Sequence, residues 1–296
     1  MLIVGNRNDY RESAADGELS LMDSLRRWRE SLASEISVGL VPTMGALHEG
    51  HLSLIREAKR RCDVVALTIF VNPTQFAPEE DLATYPKTLE ADLEHAAAEG
   101  VDFVWIGESD AMYPEGFATE VTVPTLANRL CGKSRPQHFG GVCLIVLKLF
   151  HLFQPTHAFF GEKDLQQVTI IERMTLDLNL PIEIVRCPLV READGLALSS
   201  RNQRLSPSDR EAALSLWRGL RAIRESWASG EREPSVLREV ALPELDSRLD
   251  LEYLEILDKG SLNPLDSPAR GGEAVACIAA HVGEVRLIDN VTLEID

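Results

Sequence analysis

Two histidines three residues apart, His48 and His51, sit in the run Pro42-Thr43-Met44-Gly45-Ala46-Leu47-His48-Glu49-Gly50-His51. At that spacing they share one helix face. They lie where a strand gives way to a helix, at the positive end of the helix dipole. Free backbone N–H groups, a glycine turn at Gly45 and two imidazole donors suit a nucleotide phosphate there. A metalloprotease helix needs His-Glu-x-x-His, and the spacing here is one residue short, which excludes it. Read as isolated residues, the pair also fits two surface histidines beside a turn; the strand–turn–helix context favours phosphate.

Four further segments carry candidate chemistry. Phe70-Val71-Asn72-Pro73-Thr74-Gln75-Phe76 follows a strand, and ligands of open α/β sheets bind beyond such carboxyl ends. Asn72 and Gln75 offer amide donors and acceptors to a polar substrate, although an ordinary Asn-Pro turn accounts for the same residues. Arg129 to Phe139 holds Arg129, Lys133, Arg135 and His138. Its Gly132-Lys133-Ser134 is not a phosphate-binding P-loop, because position 127 is Ala where that motif needs Gly. An anion site and a solvated basic patch both remain open for it.

Phe159-Phe160-Gly161-Glu162-Lys163-Asp164-Leu165-Gln166-Gln167 is again strand, glycine, helix. Lys163 is one of six lysines, and a lysine beside a glycine suits phosphate as a mobile point charge. Asp164 fits ribose hydroxyls, or simply an acidic helix start. In Val190-Arg191 to Leu198-Ser199-Ser200-Arg201-Asn202, two hydroxyls and a guanidinium form a clamp for polyphosphate. A polar linker has the same composition.

The elements that must position these groups alternate. Apolar periodicity predicts strands over 38–41, 64–71, 103–106, 158–160 and 182–185. Helices are expected over 20–34, 49–61, 88–99, 139–153 and 164–178. That order implies a Rossmann-like α/β fold, a parallel sheet covered on both faces. After residue 190 the alternation stops. Helices over 206–227 and 235–249 precede strands over 251–257, 274–281 and 285–295, a smaller α+β domain. The boundary is placed at 189/190, giving domains 1–189 and 190–296, the second read as a lid.

Composition narrows the function. The 296 residues carry 30 Lys+Arg against 47 Asp+Glu, a formal net charge of −17, with 45% apolar residues. This excludes a nucleic-acid partner, which needs a basic face, and docking on an anionic membrane. Anionic small substrates stay possible, because a local basic pocket can sit in an acidic whole. Five cysteines without a CxxC pair, and no signal-peptide core or membrane span, point to a cytoplasmic protein.

Together, PTMGALHEGH, FVNPTQF, SRPQHFGGV, FFGEKDLQQ and GLALSSRN resemble the pantothenate synthetase (pantoate–β-alanine ligase) family of the nucleotidyltransferase superfamily, from about residue 38 to 215. Weaker similarity continues at 254–256 and 286–290. The resemblance implies ATP-dependent condensation of pantoate with β-alanine through a pantoyl adenylate. It assigns catalysis to His48, His51, Lys163, Ser199, Ser200 and Arg201. ATP would be held by these together with Pro42, Thr43, Met44, Gly45, Gly161, Asp164, Val190 and Leu198. Pantoate would fall to Gln75 and Gln167, with Asn72, Arg135 and His138 bordering the pocket.

The same resemblance implies Mg2+ with the ATP and a homodimer. This chain has a single Asp, Asp92, where the family often has a pair, so a protein ligand for Mg2+ stays open. No residue is put forward as a metal ligand. Another adenylyl-transferring enzyme of the superfamily and a catalytically inactive nucleotide-binding protein are the alternatives.

Overall fold

A computed structural model of the chain describes residues 1–5, 21–77, 82–265 and 273–294. The first residue of the helix expected over 20–34 and the last of the strand expected over 285–295 lie outside those residues. The chain folds into two compact units. The first is Met1–Asn128, Gly132–Gly161 and Ile170–Cys187; the second is Arg129–Cys131, Glu162–Thr169 and Pro188–Asp296.

The first unit is a six-stranded, wholly parallel sheet. Its strands are β1 (Leu2–Val4), β2 (Val38–Thr43), β3 (Val64–Ile69), β4 (Phe103–Ile106), β5 (His157–Gly161) and β6 (Glu183–Cys187), in the order β1-β4-β3-β2-β5-β6. The chain steps outward from β2 to β3 and β4, then returns to lay β5 on the other side of β2. The carboxyl ends of β2 and β5 thus flank the switch point at which such sheets bind ligands. Strand β1 escapes periodicity because three residues carry no pattern.

Alternation along the strands sends side chains to opposite faces. On one face, Val65, Leu67, Ile69 and Val104 pack with Leu54, Ile55 and Ala58 of α2 (Glu49–Arg61) and Leu93 and Ala96 of α3 (Leu89–Ala98). On the other, Phe103 stacks on Trp28 of α1 (Leu21–Ser31) with centroids 4.1 Å apart, and Phe153 of α4 (His138–Phe153) meets both rings edge-on at 6.1 Å. Helix α5 (Leu165–Asp177) follows β5. No helix among the described residues is long and apolar enough to cross a membrane.

The second unit packs α6 (Pro207–Ala228) and α7 (Pro234–Ala241) on an antiparallel sheet. Its strands are β7 (Leu249–Asp258), β8 (Ala274–Val282) and β9 (Val285–Leu293), with β8 central. Leu216, Leu220, Ile223 and Leu237 meet Ile256, Ala276, Ile278 and Leu287 in its core. Ser206 caps α6 by accepting from the Asp209 N–H at 3.1 Å, with Pro207 in the first turn. The helix expected over 235–249 stops at Ala241. Pro243 has no N–H to continue it, and Leu242–Glu244 tighten into a single 3-10 turn.

Candidate active site

The turn after β2 is held by groups from three elements. Thr43 Oγ1 donates to the Thr68 carbonyl on β3 at 2.6 Å and accepts the Gly45 N–H at 3.2 Å. Gly45 has φ +85° and Ala46 φ +51°, so the chain reverses through left-handed backbone. Both oxygens of Asp92, near the start of α3, accept main-chain N–H groups of that turn: Ala46 at 2.9 Å and Leu47 at 2.7 Å. Asp92 is 2% exposed. A carboxylate engaged in this way does not present itself to a cation. Among the described residues no group of three or more His, Cys, Asp and Glu is placed to hold a metal ion.

The turn delivers His48 as the N-cap of α2 and His51 within its first turn. The Gly50 N–H donates to His48 Nδ1 at 3.2 Å, and the His48 N–H donates to His51 Nδ1 at 3.3 Å. The rings lie 4.1 Å apart. A neutral imidazole that accepts at Nδ1 carries its proton on Nε2. The backbone therefore selects one tautomer for both histidines, and both Nε2 atoms are N–H donors.

The second motif and residues 132–139 of the third come together in the first unit. Asn72 caps a 3-10 turn at Pro73–Gln75. It is 1% exposed: its Nδ2 donates to Gln75 Oε1 at 3.1 Å and to the Gly141 carbonyl at 3.2 Å, while Oδ1 accepts from Tyr113 Oη at 2.7 Å. Asn72 thus orients Gln75 and turns its own amide inward. Gln75 Nε2 reaches Met44 Sδ at 3.1 Å. His138 Nδ1 lies 2.8 Å from the Gln75 carbonyl, and Arg135 Nη2 donates to that oxygen at 3.4 Å. A Cβ on Gly141 would stand 2.3 Å from the Thr74 carbonyl, so only glycine lets the 3-10 turn lie on α4. Burial pushes the Tyr113 hydroxyl up, which keeps it a donor.

Lys163, Asp164, Gln167, Val190, Leu198, Ser199, Ser200 and Arg201 belong to the second unit. Lys163 lies in a 3-10 turn, Glu162–Asp164, directly after β5, with Nζ 3.9 Å from Asp164 Oδ2. Gln167 follows in the first turn of α5. Arg191 and Ala197 bridge antiparallel, and the Leu198 N–H donates to the Val190 carbonyl at 3.0 Å. This short hairpin leads into Ser199, whose Oγ accepts the Arg201 N–H at 3.3 Å and caps the turn Ser200–Arg204. On the first unit, Gly161 ends β5, and a Cβ built there would meet no described atom within 4 Å. Packing does not demand that glycine, and its position leaves room for a ligand to approach the backbone.

Of the basic segment, Arg135 and His138 serve Gln75, while Lys133 is exposed. Arg129 instead donates to the Leu262 carbonyl at 2.9 Å, and Gln166 clasps the 129–131 backbone through the Arg129 carbonyl (2.7 Å) and the Cys131 N–H (3.1 Å). The supporting roles of Asp92, Tyr113 and Gly141 are not legible from motif spacing. Each acts on a segment far away in sequence.

Comparison with known proteins agrees with these motifs. The family model Pantoate-beta-alanine ligase matches residues 19–292. A pantothenate synthetase of Moorella thermoacetica is 52% identical over 265 residues, covering 88% of this chain and 92% of that protein. The crystal structure of pantothenate synthetase from Thermus thermophilus superposes with a TM-score of 0.86 at 43% identity, covering 91% and 96% of the two chains. The pantoate-beta-alanine ligase of Francisella tularensis, solved with beta-gamma ATP and beta-alanine, gives 0.76 at 35% identity, covering 93% and 97%.

Proposed function

The chain belongs to the pantoate-beta-alanine ligase family, and on that premise we propose how its residues perform an ATP-dependent condensation of pantoate with β-alanine. A pantoate carboxylate oxygen attacks the α-phosphorus of ATP. The bond to the bridging oxygen breaks and pyrophosphate leaves with the electron pair. The β-alanine amine then attacks the acyl carbon of the pantoyl adenylate, loses a proton, and AMP departs.

The observation that carries this reading is the paired tautomer at the start of α2. His48 and His51 keep Nδ1 on the backbone and offer Nε2–H to phosphate oxygens as charge builds on them. Donors already oriented cost no reorganisation during reaction. Lys163, Ser199, Ser200 and Arg201 add charge and hydrogen bonds to the leaving pyrophosphate. Pro42, Thr43, Met44, Gly45, Val190 and Leu198 line the nucleotide, with Asp164 and the Gly161 backbone toward the ribose. Gln75 and Gln167 hold pantoate, and Asn72, Arg135 and His138 orient Gln75. No covalent enzyme intermediate is required, since holding the two reactants together is worth about 7–11 kcal/mol.

ATP enters as its magnesium complex, with the ion carried by phosphate oxygens and water as part of the substrate; the engagement of Asp92 by the turn supports this. The segment from residue 190 onward serves as the lid. A homodimer is expected from the family, and sedimentation at working concentration measures it. Five buried cysteines, none in a disulfide, support a cytoplasmic setting.

The test is AMP release with ATP, pantoate and β-alanine, omitting each in turn. AMP formation that needs all three supports the reading. Absence of AMP with all three present removes it.

A further inference from the structure

Two consecutive residues of the last strand, Asp289 and Asn290, hold both phosphate-directed segments of the second unit. Asn290 Nδ2 donates to two successive carbonyls, Glu162 at 2.8 Å and Lys163 at 3.2 Å. One amide thus fixes the backbone of the turn that carries Lys163. Asn290 is 8% exposed. The same turn is tied a second time, because Lys259 Nζ lies 3.2 Å from Glu162 Oε1.

Asp289 acts on the other segment. Its oxygens accept Arg191 Nη1 at 2.7 Å and Nη2 at 2.9 Å, a bidentate pair 98 residues apart in sequence. Arg191 also donates to the Gly195 carbonyl at 3.1 Å and to the Asn290 carbonyl at 3.1 Å. Its guanidinium lies 3.7 Å above the Trp217 ring. Arg191 opens the hairpin that ends at Ser199. The Asn290 N–H closes the arrangement by donating to Asp289 Oδ1 at 2.7 Å. A two-residue turn at Gly283-Glu284 pins the register of β9 against β8, so neither side chain can slide along the sheet.

We propose that Asp289 and Asn290 are positioning residues for adenylation, setting Lys163 and the Ser199–Arg201 clamp in one frame. The proposal rests on the functional reading above. Asn290 touches no reacting atom; it acts through the main chain of Lys163. Its removal therefore weakens the pyrophosphate-forming step and leaves the second step, attack of β-alanine on the acyl carbon, nearly untouched.

Asn290→Ala and Asn290→Ser are made in the full chain, alone and with Lys163→Ala. Three quantities are measured: pantoate-dependent pyrophosphate–ATP exchange, conversion of supplied pantoyl adenylate by β-alanine, and the melting curve. Asn290→Ala is expected to slow exchange tenfold or more and to change the second half-reaction less than threefold. The serine variant, which keeps one donor, should fall between. In the Lys163→Ala background the Asn290→Ala change should add less than threefold, because two residues acting through one group are not additive. Equal losses in both half-reactions, or full additivity with Lys163→Ala, overturn the proposal in favour of a purely structural role. If the alanine variant does not fold, unchanged exchange in the serine variant overturns it equally. Wild-type protein inactive in both half-reactions overturns the functional reading and the proposal with it.

Discussion

The buried carboxylate of Asp92 lies 2.9 Å from the main-chain nitrogen of Ala46, 46 residues earlier in the chain. That bond, with its companion to Leu47, holds a left-handed turn in front of two histidines. The acidic side chain is part of the scaffold of the turn that precedes α2. Its negative charge is engaged by two N–H dipoles, and Thr88 Oγ1 donates a further bond at 3.2 Å.

Asp92→Asn turns an acceptor into an NH2 that faces an N–H. A hydrogen bond to a charged group contributes about 1.5–3 kcal/mol, so urea unfolding should show a loss of that order. AMP release should fall as well, because the turn carries His48. An unchanged unfolding midpoint would remove Asp92 from this role.

His51→Asn separates capping from catalysis. The asparagine oxygen can replace Nδ1 as acceptor for the His48 N–H, while nothing replaces Nε2–H. Melting should stay near wild type, and pyrophosphate exchange should drop by about 10²-fold or more, the usual cost of losing an oriented donor to a developing anion. His51→Ala should lose a further ~1 kcal/mol of stability with the cap. Retained exchange in the asparagine variant would mean that the histidine serves only the helix.

Gly141→Ala places a methyl group against the Thr74 carbonyl. The 3-10 turn must move, and with it Gln75. The expected results are a stability loss of about 1–3 kcal/mol and a raised KM for pantoate, with KM for ATP little changed. Steady-state kinetics in both substrates reads this. Equal changes in both KM values would argue against a pantoate-specific effect.

The cysteines should be silent in the native state. Burial pushes the Cys143 thiol up to about 12 and the Cys62 thiol to about 11, so these two form almost no thiolate at pH 8, and all five cysteines are buried. An aromatic disulfide reagent at pH 8 should titrate five thiols after denaturation and essentially none before it. Rapid native reaction of one cysteine would show that the core opens locally.

Much of the molecule is legible from local pattern. Val64 to Val71 is an apolar run of β-branched residues, the signature of a parallel strand, and Val64–Ile69 of it form β3. Glu49 to Arg61 keeps its expected bounds because its apolar face, acidic start and basic end all agree. Leu2–Val4 and the Pro243 break show the limits: one is too short for a period, and the other turns on one missing N–H.

Residue type and spacing by themselves determined the parallel α/β class and the helix that begins at Glu49, and the resemblance carried by five short motifs gave the family. Those depend on neighbours in sequence, and local backbone geometry follows from local residues. Only the tertiary structure decided which nitrogen of each histidine carries the proton. It also decided that Asn72 turns inward to Gly141, that Asp92 holds a turn, and that Asn290 holds Lys163. Each of these last three rests on a hydrogen bond spanning tens of residues or more. A buried polar group must find its partner wherever the fold brings one, and that location is a property of the packed chain, not of the motif.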